Sequence, residues 1–283
     1  LWEAMHKTGN GTDYVSETVI CEAVVKKGWL HYGKRRYNSL FLIEVESMHP
    51  ATLAKLYDFV VSGGRVFCIE KYPAKSLGWY EHEKRDQEVE SWVRKLKNIP
   101  DRFILLKKPE DNDFLAWYTA IQSKYDLTPF ISIEKPDPYL MVNRYIRDDD
   151  TEFFFFINSH LHEAHETNIS FPKHITSRKA AWIWELNNGK RYRIDLSKYG
   201  SFSLYLGPAE SRVIVFDRTE KGEKWNPLPV TGNNSRKLEG WEVEFRHSME
   251  NTVEKVTMYV LEDLKNTKYI DFTGTIVYRK QVN

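Results

Sequence analysis

Apolar and polar positions follow two different rhythms along this chain, and the change falls near residue 130. The first rhythm is clearest in Tyr37 to Pro73. Ser39 to Glu44 (SLFLIE) is a short, mostly apolar run, the pattern of a strand buried on both faces. Pro50 suits a first helical turn, where its missing N–H costs nothing. Leu53, Leu56, Tyr57 and Val60 follow at i, i+3, i+4, i+7 spacing, so they share one helix face. Gly63-Gly64 ends that helix, because glycine takes the left-handed conformation without a Cβ penalty. Arg65 to Ile69 (RVFCI) is the next apolar run. Two buried strands joined by a helix predict a parallel pair with a right-handed crossover.

The same alternation extends on both sides. Leu1 to Lys7 reads as a helix end closed by Gly9, Asp13 to Ser16 as the start of a short strand, and Gly28 to Leu30 with Tyr32 as another. A charged helix runs from about Lys84 to Leu96, with Val89, Trp92, Val93 and Leu96 as its apolar stripe. Phe103 to Leu106 is a further strand and Phe114 to Ile121 a short helix. Residues 1–128 therefore predict an open parallel α/β domain.

After Pro129, Pro136 and Pro138 the chain reads as hairpins. Leu140 to Arg147 and Thr151 to Asn158 flank an Asp148-Asp149-Asp150 turn. Asn168 to Phe171 is a short strand. Ala180 to Leu186 (AAWIWEL) alternates and ends at Asn187-Asn188-Gly189, a strong turn signal. Arg191 to Leu196, Ser201 to Leu206 and Ser211 to Asp217 complete an antiparallel β-sandwich over 133–218. Residues 219–237 are polar and linker-like. A third block, 238–283, holds three strand candidates: Trp241 to Phe245, Val256 to Leu261 and Tyr269 to Lys280. Two or three strands do not make a sandwich of their own.

Composition narrows the function classes. A formal net charge of +1 over 283 residues gives no global field for nucleic acid or anionic membrane. No basic aromatic array and no glycine-rich phosphate loop is present, and no apolar run approaches the length of a membrane span. The 14% aromatic share suits strands and also flat platforms for sugars. Cys21 and Cys68 sit in apolar segments and read as two buried free thiols. The chain opens at Leu1 and stops after a strand-like run, the expected look of a piece cut from a longer protein.

Three stretches, in this order, resemble the non-catalytic C-terminal part of α-L-rhamnosidase-like glycoside hydrolases of family 106. The first is Tyr37 to Trp79. The second pairs Val142 to Asn158 with Leu204 to Phe216, similar to the small β-domain behind many glycosidase barrels. The third, Trp241 to Phe245 with Phe272 to Arg279, looks like the opening of the jelly-roll, galactose-binding-like domain shared with family 2 glycosidases. The resemblance implies a multidomain α/β and all-β chain: an amidotransferase- or flavodoxin-like domain, a β-sandwich and a truncated jelly roll. It also implies a polysaccharide-degrading hydrolase of a Bacteroidetes periplasm or a secreted one. The family's acid, base and calcium site lie on a barrel that these residues do not encode, so no catalytic residue, metal ligand or cofactor of this segment is assigned.

The candidate chemistry is limited. Trp182 and Trp184 alternate with Ala181 and Ile183, so both point to one sheet face, as a sugar platform if open and as core if covered. Trp241 poses the same question in the third block. Cys68 could serve an amidotransferase-like nucleophile, but no glycine elbow follows it. His160, His162, Glu163 and His165 lack the spacing of a zinc helix. Asp148 to Asp150 with Glu152 reads as an acidic turn or a calcium loop. Glu44, Glu46 and Glu70 follow the ends of parallel strands, where α/β domains bind ligands. Three functions follow: a structural segment of a glycoside hydrolase, a carbohydrate-binding module, or a cysteine- or glutamate-dependent hydrolase.

Overall fold

The computed structural model describes residues 1–197, 200–219, 221–226 and 237–282. It divides into two compact units, Leu1–Trp225 and Asn226–Asn283.

The first unit opens with α1 (Trp2–Lys7) and α2 (Glu17–Glu22), then a meander of β1 (Val24–Lys26), β2 (Trp29–Tyr32) and β3 (Arg35–Tyr37). The expected strand at Asp13 to Ser16 does not form. Ser16 instead caps α2, its Oγ accepting the Val19 N–H.

The βαβ unit forms as its periodicity predicts. β4 (Ser39–Ile43), α3 (Pro50–Val61) and β5 (Arg65–Ile69) are followed by α4 (His82–Lys97), β6 (Phe103–Leu106) and α5 (Phe114–Lys124). The three strands are parallel in the order β4-β5-β6, with Phe41, Phe67 and Ile104 in one cross-strand row. Alternation along each strand feeds two cores. Leu40, Leu42, Val66, Cys68 and Phe103 face α2, α3 and α4. Phe41, Phe67, Ile104 and Leu106 face α1 and α5. Leu53, Leu56 and Val60 of α3 are wholly buried, each stabilising by about 1.5–3 kcal/mol relative to exposure. Gly64 closes α3, and its Cα lies so close to the Phe59 ring that no Cβ fits.

The second half of this unit is a sandwich. β7 (Ser132–Ile133), β8 (Leu140–Ile146), β9 (Glu152–Asn158), β10 (His165–Ser170), the short α6 (Lys173–Thr176), β11 (Ala180–Trp184), β12 (Arg191–Ile194), β13 (Ser201–Leu206) and β14 (Ser211–Asp217) follow in turn. A five-stranded antiparallel sheet, β12-β11-β14-β9-β8, faces a three-stranded one, β13-β10-β7. Phe154, Phe156, Ile183, Ile214 and Phe216 of the larger sheet pack on Ile133, Ile169, Leu204 and Leu206 of the smaller. Packing does not stop at residue 218. Trp225 lies against this core, and its N–H donates to the Arg193 carbonyl at 2.7 Å.

The second unit is an antiparallel sheet of β15 (Trp241–His247), β16 (Val253–Met258) and β17 (Gly274–Arg279), ordered β16-β15-β17. The strand expected over Tyr269 to Lys280 is shorter than its composition suggested. Tyr269 stacks on Phe245 at 3.8 Å and Phe272 meets the same ring edge-on at 5.0 Å, so both leave the ladder to cover the sheet's apolar face. Part of the expected linker, residues 227–236, lies outside the described residues. Among the described residues no helix is long and apolar enough to cross a membrane.

Candidate functional site

In open α/β sheets, ligands bind beyond the carboxyl ends of the strands. Here that edge carries Glu44 after β4, Glu70 after β5, and Lys107 and Lys108 after β6. Glu44 and Glu70 both have left-handed backbones, at φ 52° and 70°, a conformation that costs a non-glycine residue roughly 1 kcal/mol or more. Each still extends the ladder by one bond: the Glu44 N–H donates to Ile69 and the Glu70 N–H to Leu106.

Their carboxylates meet one lysine. Lys108 sends its ammonium to Glu44 at 3.1 Å and its backbone N–H to Glu70 at 2.6 Å, while Lys107 Nζ lies 3.5 Å from Glu70. The Lys108 N–H holds the Glu70 carboxyl below its ordinary range, and Glu44 raises Lys108. A glycosidase general acid needs the opposite shift on a carboxyl group. Glu46 lies 3.7 and 3.6 Å from Lys71 and Lys75. The edge is thus a polar clamp of paired charges.

The loop after β5 rises from this edge and is firmly tied down. The Ala74 and Lys75 N–H groups donate to the Glu46 carbonyl, the Met48 N–H to Lys75, the Ser76 N–H to Asp86 Oδ1 at 2.6 Å, and Arg85 Nη2 to the Gly78 carbonyl. Its tip carries Trp79 and Tyr80, 87% and 79% exposed. Beside it, a cleft of about 540 Å³ is lined by Tyr72, Pro73, Asp86, Gln87, Glu90 and Lys97. Sequence reasoning did not single out this aromatic pair as a site. The available signal was two aromatic residues beside Gly78 in a stretch with neither strand nor helix period.

The three tryptophans expected to bind sugar are placed differently. Trp182 and Trp184 do share a face, the outer face of the five-stranded sheet, with Phe153, Phe155, Val213 and Val215. Trp182 is completely buried there: its indole N–H donates to Asp217 at 3.0 Å, Arg191 lies over its ring at 4.8 Å, and the Gly222 backbone packs against it. No face of that ring is open to a sugar. Trp184 is half-buried and meets Phe153 edge-on at 5.3 Å; its indole N–H has no partner among the described residues. Trp241 stands in the second unit, half-buried, donating to the Leu238 carbonyl at 3.1 Å.

The remaining candidates are absorbed by packing and pairing. Cys68 is fully buried, and desolvation raises its thiol to about 12, the reverse of an activated nucleophile. Cys21 is only half-buried, within 3.5 Å of the Thr52 hydroxyl. His160 Nδ1 accepts the Glu163 and His162 N–H groups, and His165 lies 3.7 Å from Asp137. Asp148, Asp149 and Asp150 pair with Lys34, Arg147 and Lys179, and Glu152 pairs with Arg144 and Lys179. Among the described residues no three His, Cys, Asp or Glu side chains group to hold a metal.

No protein-family model matches the sequence, and no curated protein matches it either. The fold does have solved counterparts. A rhamnosidase from Novosphingobium sp. PP1Y superposes on 94% of this chain with a TM-score of 0.62 and 19% identity. The match spans 26% of that enzyme's chain, so this protein corresponds to about a quarter of its length. Gan42B, a GH42 beta-galactosidase from G. stearothermophilus, matches 76% of this chain and 35% of its own, at 12% identity and a TM-score of 0.44. The chain therefore shares a multidomain α/β plus β fold with part of that rhamnosidase.

Proposed function

We propose that this chain is the non-catalytic segment of a bacterial α-L-rhamnosidase-like glycoside hydrolase of family 106, acting on polysaccharide in the periplasm or outside the cell. It buttresses the catalytic barrel and shapes the approach to it. In this reading residues 1–128 are the amidotransferase-like domain, 133–218 the sandwich and 238–283 the opening of a family 2-type jelly roll. Calcium, where the parent enzyme uses it, belongs to the barrel. The observation that carries the reading is the 94% superposition on a rhamnosidase. The paired charges at the sheet edge and the buried Cys68 support a non-catalytic role over a glutamate- or thiol-dependent hydrolase. The test is hydrolysis of p-nitrophenyl α-L-rhamnopyranoside by the natural full-length polypeptide and by this chain. Activity is expected in the first and none in the second. Turnover by this chain overturns the non-catalytic role, and its absence from the full-length polypeptide overturns the rhamnosidase assignment.

A second reading, a carbohydrate-binding surface, is favoured by one observation: the hydrogen-bonded loop that leaves Trp79 and Tyr80 open to solvent. Exposed aromatic rings on a fixed backbone can stack on the apolar faces of pyranoses with little ordering cost.

A further inference from the structure

Charge is balanced over the whole chain and unbalanced over one short part of it. Lys26, Lys27, Lys34, Arg35 and Arg36 all fall between Glu22 and Glu44, a stretch that holds no Asp or Glu. These cations belong to the meander β1-β2-β3 and its turns. Val25, Leu30 and Tyr37 stand opposite one another in the ladder and turn to the core shared with α2 and α3. Alternation then puts Val24, His31 and Arg36 in one row of the other face, with Lys26 and Trp29 in the next.

Lys26, Lys27 and Arg36 are exposed, and none has a carboxylate within ion-pairing distance among the described residues. Lys34 and Arg35 do have partners, Asp148 at 2.9 Å and Asp13 at 3.7 Å. The Lys34–Asp148 pair is almost fully exposed, so water screens it and it holds the lysine weakly. Lys27 and Gly28 form the β1-β2 turn with φ of 50° and 76°, the positive values that a two-residue hairpin loop favours. The Gly28 N–H donates to Ser62 Oγ at 3.2 Å, and its Cα lies too close to Gly63 for a Cβ to fit. The turn that carries Lys27 is thus docked on the end of α3.

The kind of partner follows from what this face offers. Sugars and nucleic-acid bases stack on open rings. Here the Arg36 guanidinium lies over the Trp29 indole at 5.0 Å, and the indole is itself half-buried. The face therefore presents charge instead of a stacking platform. It also presents Val24, 64% exposed, two residues from Lys26 on the same strand. Cations around an exposed apolar side chain suit the boundary between lipid headgroups and acyl chains. Each Lys or Arg close to an anionic leaflet favours binding about 5-fold, so Lys26, Lys27 and Arg36 together supply about 100-fold.

We infer that the outer face of the β1-β2-β3 meander is a docking surface for an anionic lipid bilayer, with Lys26, Lys27 and Arg36 meeting headgroup phosphates and Val24 entering the interface. Cations in this number give reversible, salt-sensitive attachment and not a permanent anchor. The near-neutral total charge is no obstacle, because a bilayer acts on the charges within a Debye length of its surface. The inference goes beyond the glycoside hydrolase reading and does not depend on it, since it concerns where the chain is held and not what is cleaved.

Co-sedimentation of this chain with vesicles tests it, comparing a mixture of phosphatidylglycerol and phosphatidylcholine with phosphatidylcholine alone. Binding is expected to the anionic vesicles only, and to disappear between about 20 mM and about 500 mM salt. Lys26→Gln, Lys27→Gln and Arg36→Gln together are expected to weaken it about 100-fold. Lys26→Gln with Lys27→Gln leaves the Arg36–Trp29 contact intact and is expected to cost about 25-fold. Lys84→Gln, Arg94→Gln and Lys95→Gln on α4 change the net charge equally and are expected to leave binding unchanged. Binding to neither vesicle, equal binding to both, or an equal loss in the α4 variant overturns the inference. Tighter binding to polygalacturonate or to single-stranded DNA than to the anionic vesicles overturns it too, because the partner is then a soluble polyanion.

Discussion

Lys179 places its ammonium 2.9 Å from Glu152 Oε1, with the two side chains only 5% and 4% exposed. Arg144 completes the group, directing Nε and Nη2 to the other carboxylate oxygen at 3.0 and 2.6 Å. Removing one partner from such a group leaves a charge in a poorly solvated place. Lys179→Met is therefore expected to destabilise the first unit by roughly 3 kcal/mol. Arg144→Met is expected to cost less, because Arg144 is more exposed. Urea unfolding of both variants checks the order.

The Cys68 thiol, pushed up to about 12 by burial, is expected to resist iodoacetamide at pH 8 while the protein is folded. It should label fully in denaturant. Half-buried Cys21 is the internal comparison and should label first. Native-state labelling of Cys68 at the rate of a free thiol would refute its place in the sheet.

Trp79 and Trp182 make a contrasting pair. Trp79→Ala removes a ring that buries almost nothing, so stability should stay within about 0.5 kcal/mol. Trp182→Ala opens a cavity beneath Gly222 and leaves Asp217 without the indole N–H, at a cost of roughly 3–5 kcal/mol. On the second functional reading, Trp79→Ala and Tyr80→Ala abolish retardation in gels containing rhamnogalacturonan, and Trp241→Ala does not. Retardation unchanged in the first two removes the loop as a sugar site.

Glu244 in the second unit carries the clearest acid dependence. Hydrogen bonds from Arg279 and Arg246 hold its carboxyl down to about 2, against an ordinary 4.5. The unfolded chain takes up this proton first as pH falls, so the contribution is complete above pH 4.5 and disappears as pH drops through about 2. Carboxyl NMR should show a Glu244 midpoint near 2, and Glu244→Gln should flatten this part of the acid limb. His6 acts in the same direction at higher pH. Desolvation lowers it below 6.5, so the first unit should weaken as pH falls through 6.5 and His6→Asn should remove that slope.

The chain's linear pattern determined the elements whose partners are near in sequence. Pro50, the Leu53-Leu56-Val60 stripe and Gly63-Gly64 fix a helix between two apolar runs, and handedness then dictates a parallel pair. The hairpin around Asp148 to Asp150 and the turn at Asn187 to Gly189 follow from local backbone preference in the same way. Alternation also placed Trp182 and Trp184 on one sheet face.

Which face was covered depended on residues far along the chain. Asp217 and Gly222 close over Trp182, and nothing in AAWIWEL encodes them. Tyr269 and Phe272 have strand composition but serve Phe245 as a lid, because a three-stranded sheet must cover its apolar face with whatever lies nearby. The loop that exposes Trp79 is likewise tied by hydrogen bonds to Glu46 and Asp86, which lie far from it in local pattern. Local propensity is a property of consecutive residues, so a sequence carries it directly. Burial is set by distant segments competing for the same surface, and only the folded chain decides that competition.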